Sequence, residues 1–258
     1  MTEEFFLTAV GMFLIALIRF SGFFINMPGF GEGVMPMRVK AGVSGLCALI
    51  VLPHLLRTQT LPDLSVLGYG IMAVKELVMG LTMGFTLMVL MDTLRFAGEV
   101  IGLQIGFSFV QVVDPETNRS QGLVAEFMQI MGVLIFLIMG GHLLIIQAFV
   151  ESFEIIPLAG LQMPPGIVAE VVRITSGLFY VGLKISMPLV GIILLGDVGL
   201  GIIARTVPRL NVFQVGFPIK ILLGLWTITL IMPFLSDIII NLLREVYGTI
   251  NTLLNHMH

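Results

Sequence analysis

Charge is what this chain lacks. Of its 258 residues, 13 are Lys or Arg and 16 are Asp or Glu; this is 11% of the sequence against 57% hydrophobic residues. A soluble domain carries roughly 25% charged residues. So little polar surface cannot cover so much apolar surface in water, which points to a membrane or to a largely buried place in an assembly. Cysteine is nearly absent. Cys47 stands alone, which excludes an intrachain disulfide and CxxC redox chemistry and leaves a small apolar filler. The four histidines, His54, His142, His256 and His258, form no HExxH pattern and no ligand spacing with Cys or acid, so neither a metal nor any other cofactor is expected. A net charge of −3 offers no surface to nucleic acid or to an anionic substrate. Ser44, Ser108, Ser176 and Ser186 have no matching base in a recognisable motif, and no paired aspartates stand in a protease context, so the chain does not read as an enzyme. The first residues, Met1-Thr2-Glu3-Glu4, are acidic where a signal peptide is basic, and the first segment is expected to be mature structure. Repeated ten-residue alternations are missing too, which argues against a membrane β-barrel and for an all-α fold.

What is present is a series of apolar stretches: about 5–25, 41–56, 64–91, 97–113, 123–150, 167–204 and 212–254. Polar or Pro/Gly breaks fall at 28–40, 57–63, 114–122, 157–166 and 205–211. About six spanning helices would follow, as helical hairpins with broken or kinked members. Yet a spanning helix needs about 20 mostly apolar residues, and most charge-free runs are shorter. Arg19 cuts the first, Lys75 and Glu76 the third, and Lys184 and Asp197 flank another. Only Phe127–Val150 clearly exceeds the spanning length without Asp, Glu, Lys or Arg. A charge at the bilayer centre costs about 2.5–3.5 kcal/mol on insertion scales. Snorkelling near a helix end accounts for Arg19 and Arg244 but poorly for Lys75-Glu76. Lys75, Glu76, Glu99, Lys184, Asp197 and Lys220 are therefore expected to meet opposite charges, carbonyls or water, many of them between subunits.

Glycine, at 29 residues, has an informative spacing. Gly80 and Gly84 are four apart, as are Gly98, Gly102 and Gly106, so on a helix each set shares a face and admits another backbone. Asp92, Arg95 and Glu99 form an alternating-sign stripe at spacings of three and four. The stripe reads either as a mutually neutralised interface or as a proton relay. Basic residues are spread through the chain without alternate-loop bias, so the positive-inside rule assigns no orientation. Broken helices with charges at depth would also suit a secondary transporter of small solutes, but such a protein should show two related halves, and no convincing internal repeat is present.

Three segments resemble one family. They are Pro28-Gly29-Phe30-Gly31-Glu32 with Pro36-Met37-Arg38-Val39-Lys40; Ala97-Gly98-Glu99-Val100-Ile101-Gly102-Leu103-Gln104-Ile105-Gly106-Phe107-Ser108 with Asp114-Pro115; and Gly199-Leu200-Gly201-Ile202-Ile203-Ala204-Arg205, Val207-Pro208-Arg209-Leu210-Asn211-Val212-Phe213 and Gly216-Phe217-Pro218-Ile219-Lys220. In order, spacing and total length they resemble the FliR family, whose virulence-secretion relatives are the SpaR/YscT/SctT proteins. Arg209 departs from a Gln common there. The resemblance implies an all-α, membrane-associated subunit of a type III export gate in the bacterial inner membrane and flagellar basal body. It implies FliP and FliQ as partners, FlhB and FlhA nearby, and unfolded flagellar proteins as cargo. It also implies a FliP-like part over 1–175 and a FliQ-like helical hairpin over 176–258, with Phe217–Lys220 in its turn region. The family's core sits largely above the bilayer plane, which would account for the charge-interrupted helices. Residues 106–122 would be the pore plug: Phe107, Phe109 and Val110 would seal the pore, with Gly106 and Gly122 as hinges and the polar 114–120 facing a vestibule. Read from the residues alone, the same stretch is an ordinary helix–helix turn with buried aromatics sooner than a gate.

Overall fold

A computed structural model describes residues 2–26, 36–62, 64–107, 122–158, 160, 167–207 and 211–257. These form helices α1 (Thr2–Asn26), α2 (Met37–Thr58), α3 (Val66–Ile105), α4 (Leu123–Ile138), α5 (Gly141–Ile155), α6 (Ile167–Thr206) and α7 (Val212–Met257), with no strand among the described residues. The fold is all-α. Five helical stretches are long and apolar enough to cross a membrane: Glu4–Asn26, Met37–Thr58, Val66–Ile105, Val171–Thr206 and Gln214–Arg244. The bent pair α4–α5 would make a sixth, as a broken span or a re-entrant loop.

Three features differ from the sequence expectation. The cleanest predicted span, Phe127–Val150, is two helices. Gly140, with φ 72°, is left-handed between them, a conformation glycine adopts without steric cost. Conversely, the stretches 64–91 and 97–113 are joined, because α3 runs straight through Asp92 and Arg95. These two pair at 3.2 Å one turn apart, and charges at that spacing support a helix rather than end it. Finally, Phe217–Lys220, expected in a turn region, lies inside α7; the prolines within the apolar stretches, Pro53, Pro188 and Pro233, stand inside α2, α6 and α7 as expected.

The chain divides into two compact units that interleave along the sequence. Unit 1 comprises Met1–Val89, Gly140–Ile174 and Leu243–His258, and unit 2 comprises Leu90–Met139 and Thr175–Leu242. In unit 1, α1 packs on α2. The core joins Met12, Ala16, Phe20 and Phe23 of α1 to Leu55 of α2, to Met72 and Met79 of α3, and to Phe149 and Phe153 of α5. Phe20 stacks on Phe149 with centroids 4.8 Å apart, and Phe23 meets the same ring edge-on at 4.6 Å. The α1–α3 crossing is close enough that backbones touch. A Cβ on Gly80 would collide with the Arg19 carbonyl oxygen, one on Gly84 would lie 2.7 Å from the Phe23 oxygen, and one on Gly22 2.7 Å from the Leu77 oxygen.

In unit 2 the C-terminal part of α3 contributes Leu94, Ala97, Ile101 and Ile105, α4 contributes Ala125 and Met128, and α6 contributes Ile185, Leu189 and Ile193. A Cβ on Gly98 would lie 2.6 Å from the Ala125 Cα, so α3 and α4 also meet backbone to backbone. Gly102 is roomier, with Val124 Cβ at 3.7 Å. Within this unit α6 and α7 run antiparallel: Lys220 pairs with Asp197, and the positions of Gly216 and Gly196 face Leu200 and Leu223 respectively.

Candidate functional site

The largest fully enclosed polar side chain among the described residues is Arg19, and sequence reasoning misplaced it. Its side chain does not snorkel; it is 0% exposed, and its partner Glu76 is 1% exposed. Nε donates to Glu76 Oε2 at 2.5 Å, Nη1 to Ser152 Oγ at 3.1 Å and Nη2 to the Ile156 carbonyl at 3.2 Å. The guanidinium carbon also sits 3.9 Å from the centroid of the Phe153 ring. One cation thus ties α1 to α3 and to the end of α5. Ser152 passes the chain on, donating to the Phe149 carbonyl at 2.7 Å. Gln59 closes the same end of α5: its Nε2 donates to the Phe153 carbonyl and its Oε1 accepts from Leu158 N at 2.9 Å. A signal for the pair was present, since Arg19 and Glu76 are opposite charges deep in two otherwise apolar stretches. Sequence spacing cannot say that residues 57 positions apart lie opposite one another.

At the end of α3, Phe107 N donates to the Gly102 carbonyl at 3.0 Å and Gly106 N to the Leu103 carbonyl at 3.2 Å. This crossed pair is the Schellman stop, and it requires a left-handed residue. Gly106 supplies it with φ 95°. Gly106 is therefore the helix terminator rather than a third member of the Gly98–Gly102 packing face, and Phe217 crowds its Cα. Gly122 precedes α4 in an extended conformation, φ −69° and ψ 143°, open to any residue. Of the other expected plug residues, Phe107 is half-buried, whereas Phe109, Val110 and the stretch 108–121 lie outside the described residues.

Beside this terminus, within unit 2, lies a cavity of about 780 Å³. Among the described residues, Phe107 just after α3, Phe127 and Ile130 of α4, and Ile228 and Met232 of α7 line it, with Glu126 and Thr229 as the polar side chains. The Thr229 hydroxyl is already spent, donating to the Leu225 carbonyl at 2.9 Å.

The remaining singled-out charges divide into two groups. Asp197 and Lys220 pair with each other at 2.7 Å. Lys75 and Glu99 are half-buried and Lys184 is exposed on α6; none of the three has an ion-pair partner among the described residues. In the alternating stripe, Asp92 engages Arg95, and Glu99 is not part of that pair. No cluster of His, Cys, Asp or Glu among the described residues is arranged to hold a metal ion.

These features define a membrane-type helical protein whose glycines set backbone contacts and whose charges lie deep in apolar helices, without an assembled catalytic constellation among the described residues. Residues 10–246 match the family described as bacterial export proteins, family 1. The chain is 30% identical to the flagellar biosynthetic protein FliR of Pectobacterium carotovorum, over 96% of this chain and 94% of that protein. It is 27% identical to the protein of that name from Escherichia coli K12, over 99% and 97%, and 30% identical to that of Bacillus subtilis 168, over 94% of each. The chain belongs to the FliR family of flagellar export proteins.

Proposed function

We propose that this chain is a core, non-enzymatic subunit of the flagellar type III export gate. In this reading it assembles with FliP and FliQ into the channel that exports unfolded flagellar proteins, with FlhB and FlhA alongside, in the bacterial inner membrane at the basal body. The observation that carries it is the similarity to flagellar biosynthetic proteins over nearly the whole chain. The leftover charges supply a physical reason for partners. Lys75, Glu99 and Lys184 sit on apolar helices without internal counter-charges among the described residues, and each would cost about 2.5–3.5 kcal/mol in bare lipid. Neighbouring subunits or a wet lumen remove that cost. The FliP-like part over 1–175, the FliQ-like hairpin over 176–258 and the plug over 106–122 belong to the same reading. Gly106 ends α3 at the start of that segment, and an apolar constriction of Phe107, Phe109 and Val110 would block ions by dewetting.

Extraction in mild detergent with a tag on this chain should yield stoichiometric FliP and FliQ partners. Recovery of this chain alone, active in solute transport after reconstitution, would replace the reading with that of a solitary transporter. Deleting residues 107–120 should leave the complex intact and make overproducing cells leak ions; unchanged conductance with an intact complex removes the plug.

A further inference from the structure

We propose that α7 is the fixed seat for the end of α3 during export, and that its Phe217 is a positioning residue that sets the direction in which the chain leaves α3. On the export-gate reading, on which this rests, Gly106 becomes a fixed corner rather than a hinge. Two contacts carry the proposal, both within unit 2 and both between described residues. Phe217 and Gly224 stand two helical turns apart on α7, so they share one face. Gly224 receives Ile105: a Cβ on Gly224 would run into Ile105 Cγ1 and Cδ1 and lie 3.6 Å from Ile105 Cβ. Phe217 covers the next residue of the chain. A Cβ on Gly106 would lie 2.9 Å from Phe217 Cε1 and 3.2 Å from Cδ1.

A hinge needs a residue that changes its backbone angles at little cost. Gly106 has the intrinsic freedom but not the surroundings. Its φ of 95° closes the Schellman stop, and the two bonds of that stop, from Phe107 N to the Gly102 carbonyl and from Gly106 N to the Leu103 carbonyl, are lost if the angle changes. Ile105 is 0% exposed, so lifting the end of α3 uncovers a whole isoleucine side chain and empties the notch at Gly224. Ile105 cannot turn aside instead, because a β-branched side chain in a helix is held to essentially one χ1 rotamer. The Phe217 ring stands against the Gly106 Cα, so the corner cannot swing toward α7.

The consequence for export is an asymmetry between the two glycines. Gly106 is pinned by its stop, by Ile105 and by Phe217. Gly122 has φ −69° and ψ 143°, angles that any residue adopts. A rearrangement that opens the channel therefore starts beyond Gly106, while the last turn of α3 and the α7 stretch from Phe217 to Gly224 stay one piece. Phe217 acts through Gly106 rather than on the cargo.

The test uses the full chain in host cells that lack their own copy, with Cys47→Ala to remove the single native thiol. Ile105→Cys with Gly224→Cys places two Cβ atoms 3.6 Å apart, inside the roughly 3.5–4.5 Å window of a disulfide. The loss of isoleucine bulk makes the room that the new Cβ on α7 needs. Oxidation with diamide should close the bond in most chains, read as loss of maleimide labelling. Secretion of flagellar proteins should then stay within about twofold of the reduced level, because a bond between parts that do not move apart hinders no conformational step. Phe217→Ala, in the otherwise native chain, should assemble with its partners in normal amounts yet raise the ion leak of overproducing cells about tenfold, as a displaced constriction would. Added to the double-cysteine chain, the same change should leak when reduced and seal when oxidised, a rescue that a general packing defect would not show. Secretion lost on oxidation and regained on reduction would mean that the end of α3 leaves α7, and would overturn the proposal. So would failure of the bond to form, or a Phe217→Ala leak no greater than that of the native chain. If cells supplied with the unaltered chain secrete no more than cells without it, the export reading itself fails, and this inference with it.

Discussion

Replacing Glu76 by Gln isolates the charge of the Arg19–Glu76 pair while keeping its shape. Arg19 would then remain wholly enclosed with the Ser152 hydroxyl, the Ile156 carbonyl and the Phe153 ring as compensation. Removing one partner of a buried ion pair costs about 3–5 kcal/mol, because the other charge is left uncompensated. The aromatic face returns part of this, since a desolvated cation–π contact contributes about 2 kcal/mol. The loss should fall near the lower bound, about 3 kcal/mol, which is roughly a 150-fold shift in the folding equilibrium. Arg19→Met combined with Glu76→Met removes both charges, and such apolar replacements are often neutral or stabilising. The double variant should therefore be more stable than Glu76→Gln alone. Reversible unfolding in mixed micelles of mild detergent and dodecyl sulfate, followed by helical circular dichroism, measures all the variants needed for the cycle. A loss below about 0.5 kcal/mol for Glu76→Gln, or additivity of the two single Met changes within about 0.5 kcal/mol, would refute the reasoning.

Gly80→Ala should destabilise by about 1–3 kcal/mol, because the new methyl meets the Arg19 carbonyl oxygen rather than a movable side chain. Gly102→Ala is its control: Val124 lies at ordinary contact distance, and the same unfolding assay should show a change within about 0.5 kcal/mol. Gly106→Ala forces a left-handed alanine beside Phe217 and should cost about 1 kcal/mol or more, read as faster hydrogen exchange in the last turn of α3. Asp197→Lys should lower accumulation of the protein in membranes, and adding Lys220→Asp should restore it, because the swap rebuilds the 2.7 Å pair in reverse. Failure of the swap to restore accumulation would mean that each charge answers to a different neighbour.

Class, helix content and most breaks were legible because they depend on local quantities. Hydropathy placed α6 and α7 and the break in sequence between them, and the Gly80–Gly84 spacing marked a face that the structure puts against α1. What stayed hidden depends on three-dimensional pairing or on backbone conformation. Arg19 looked like a snorkelling end-residue because nothing local distinguishes an arginine facing water from one facing Glu76. Gly106 continued the four-residue register of Gly98 and Gly102, and a register cannot show where a helix stops. Gly140 was masked by an unbroken apolar run, since a left-handed break changes hydropathy not at all. The cavity and Glu126 drew no notice, because one acid in a first turn is what any helix tolerates at its N-terminus.

The two units use one combination of devices, and the solvent explains why. Hydrocarbon surrounding a helix is as apolar as the helix itself, so burial of Leu or Ile against a neighbour brings little net gain in a bilayer. Specific association then has to come from contacts that lipid cannot imitate. Close backbone approach is one, because chain ends of lipid do not pack as evenly as two complementary helical surfaces. An internally satisfied charge is another, because its alternative is exposure to hydrocarbon. Unit 1 joins the two at a single crossing: Gly80 brings α3 onto the Arg19 carbonyl, and the Arg19 side chain reaches Glu76 one turn away on α3. Unit 2 separates them, with Gly98 seating α4 on α3 and Lys220–Asp197 pinning α7 to α6. The unit 1 crossing is thus doubly determined, because a shift that relieved a crowded Gly80 would also stretch a buried ion pair. The Gly80→Ala and Glu76→Gln changes should for this reason be coupled, while Gly98→Ala and Lys220→Met, which act on different helix pairs, should add.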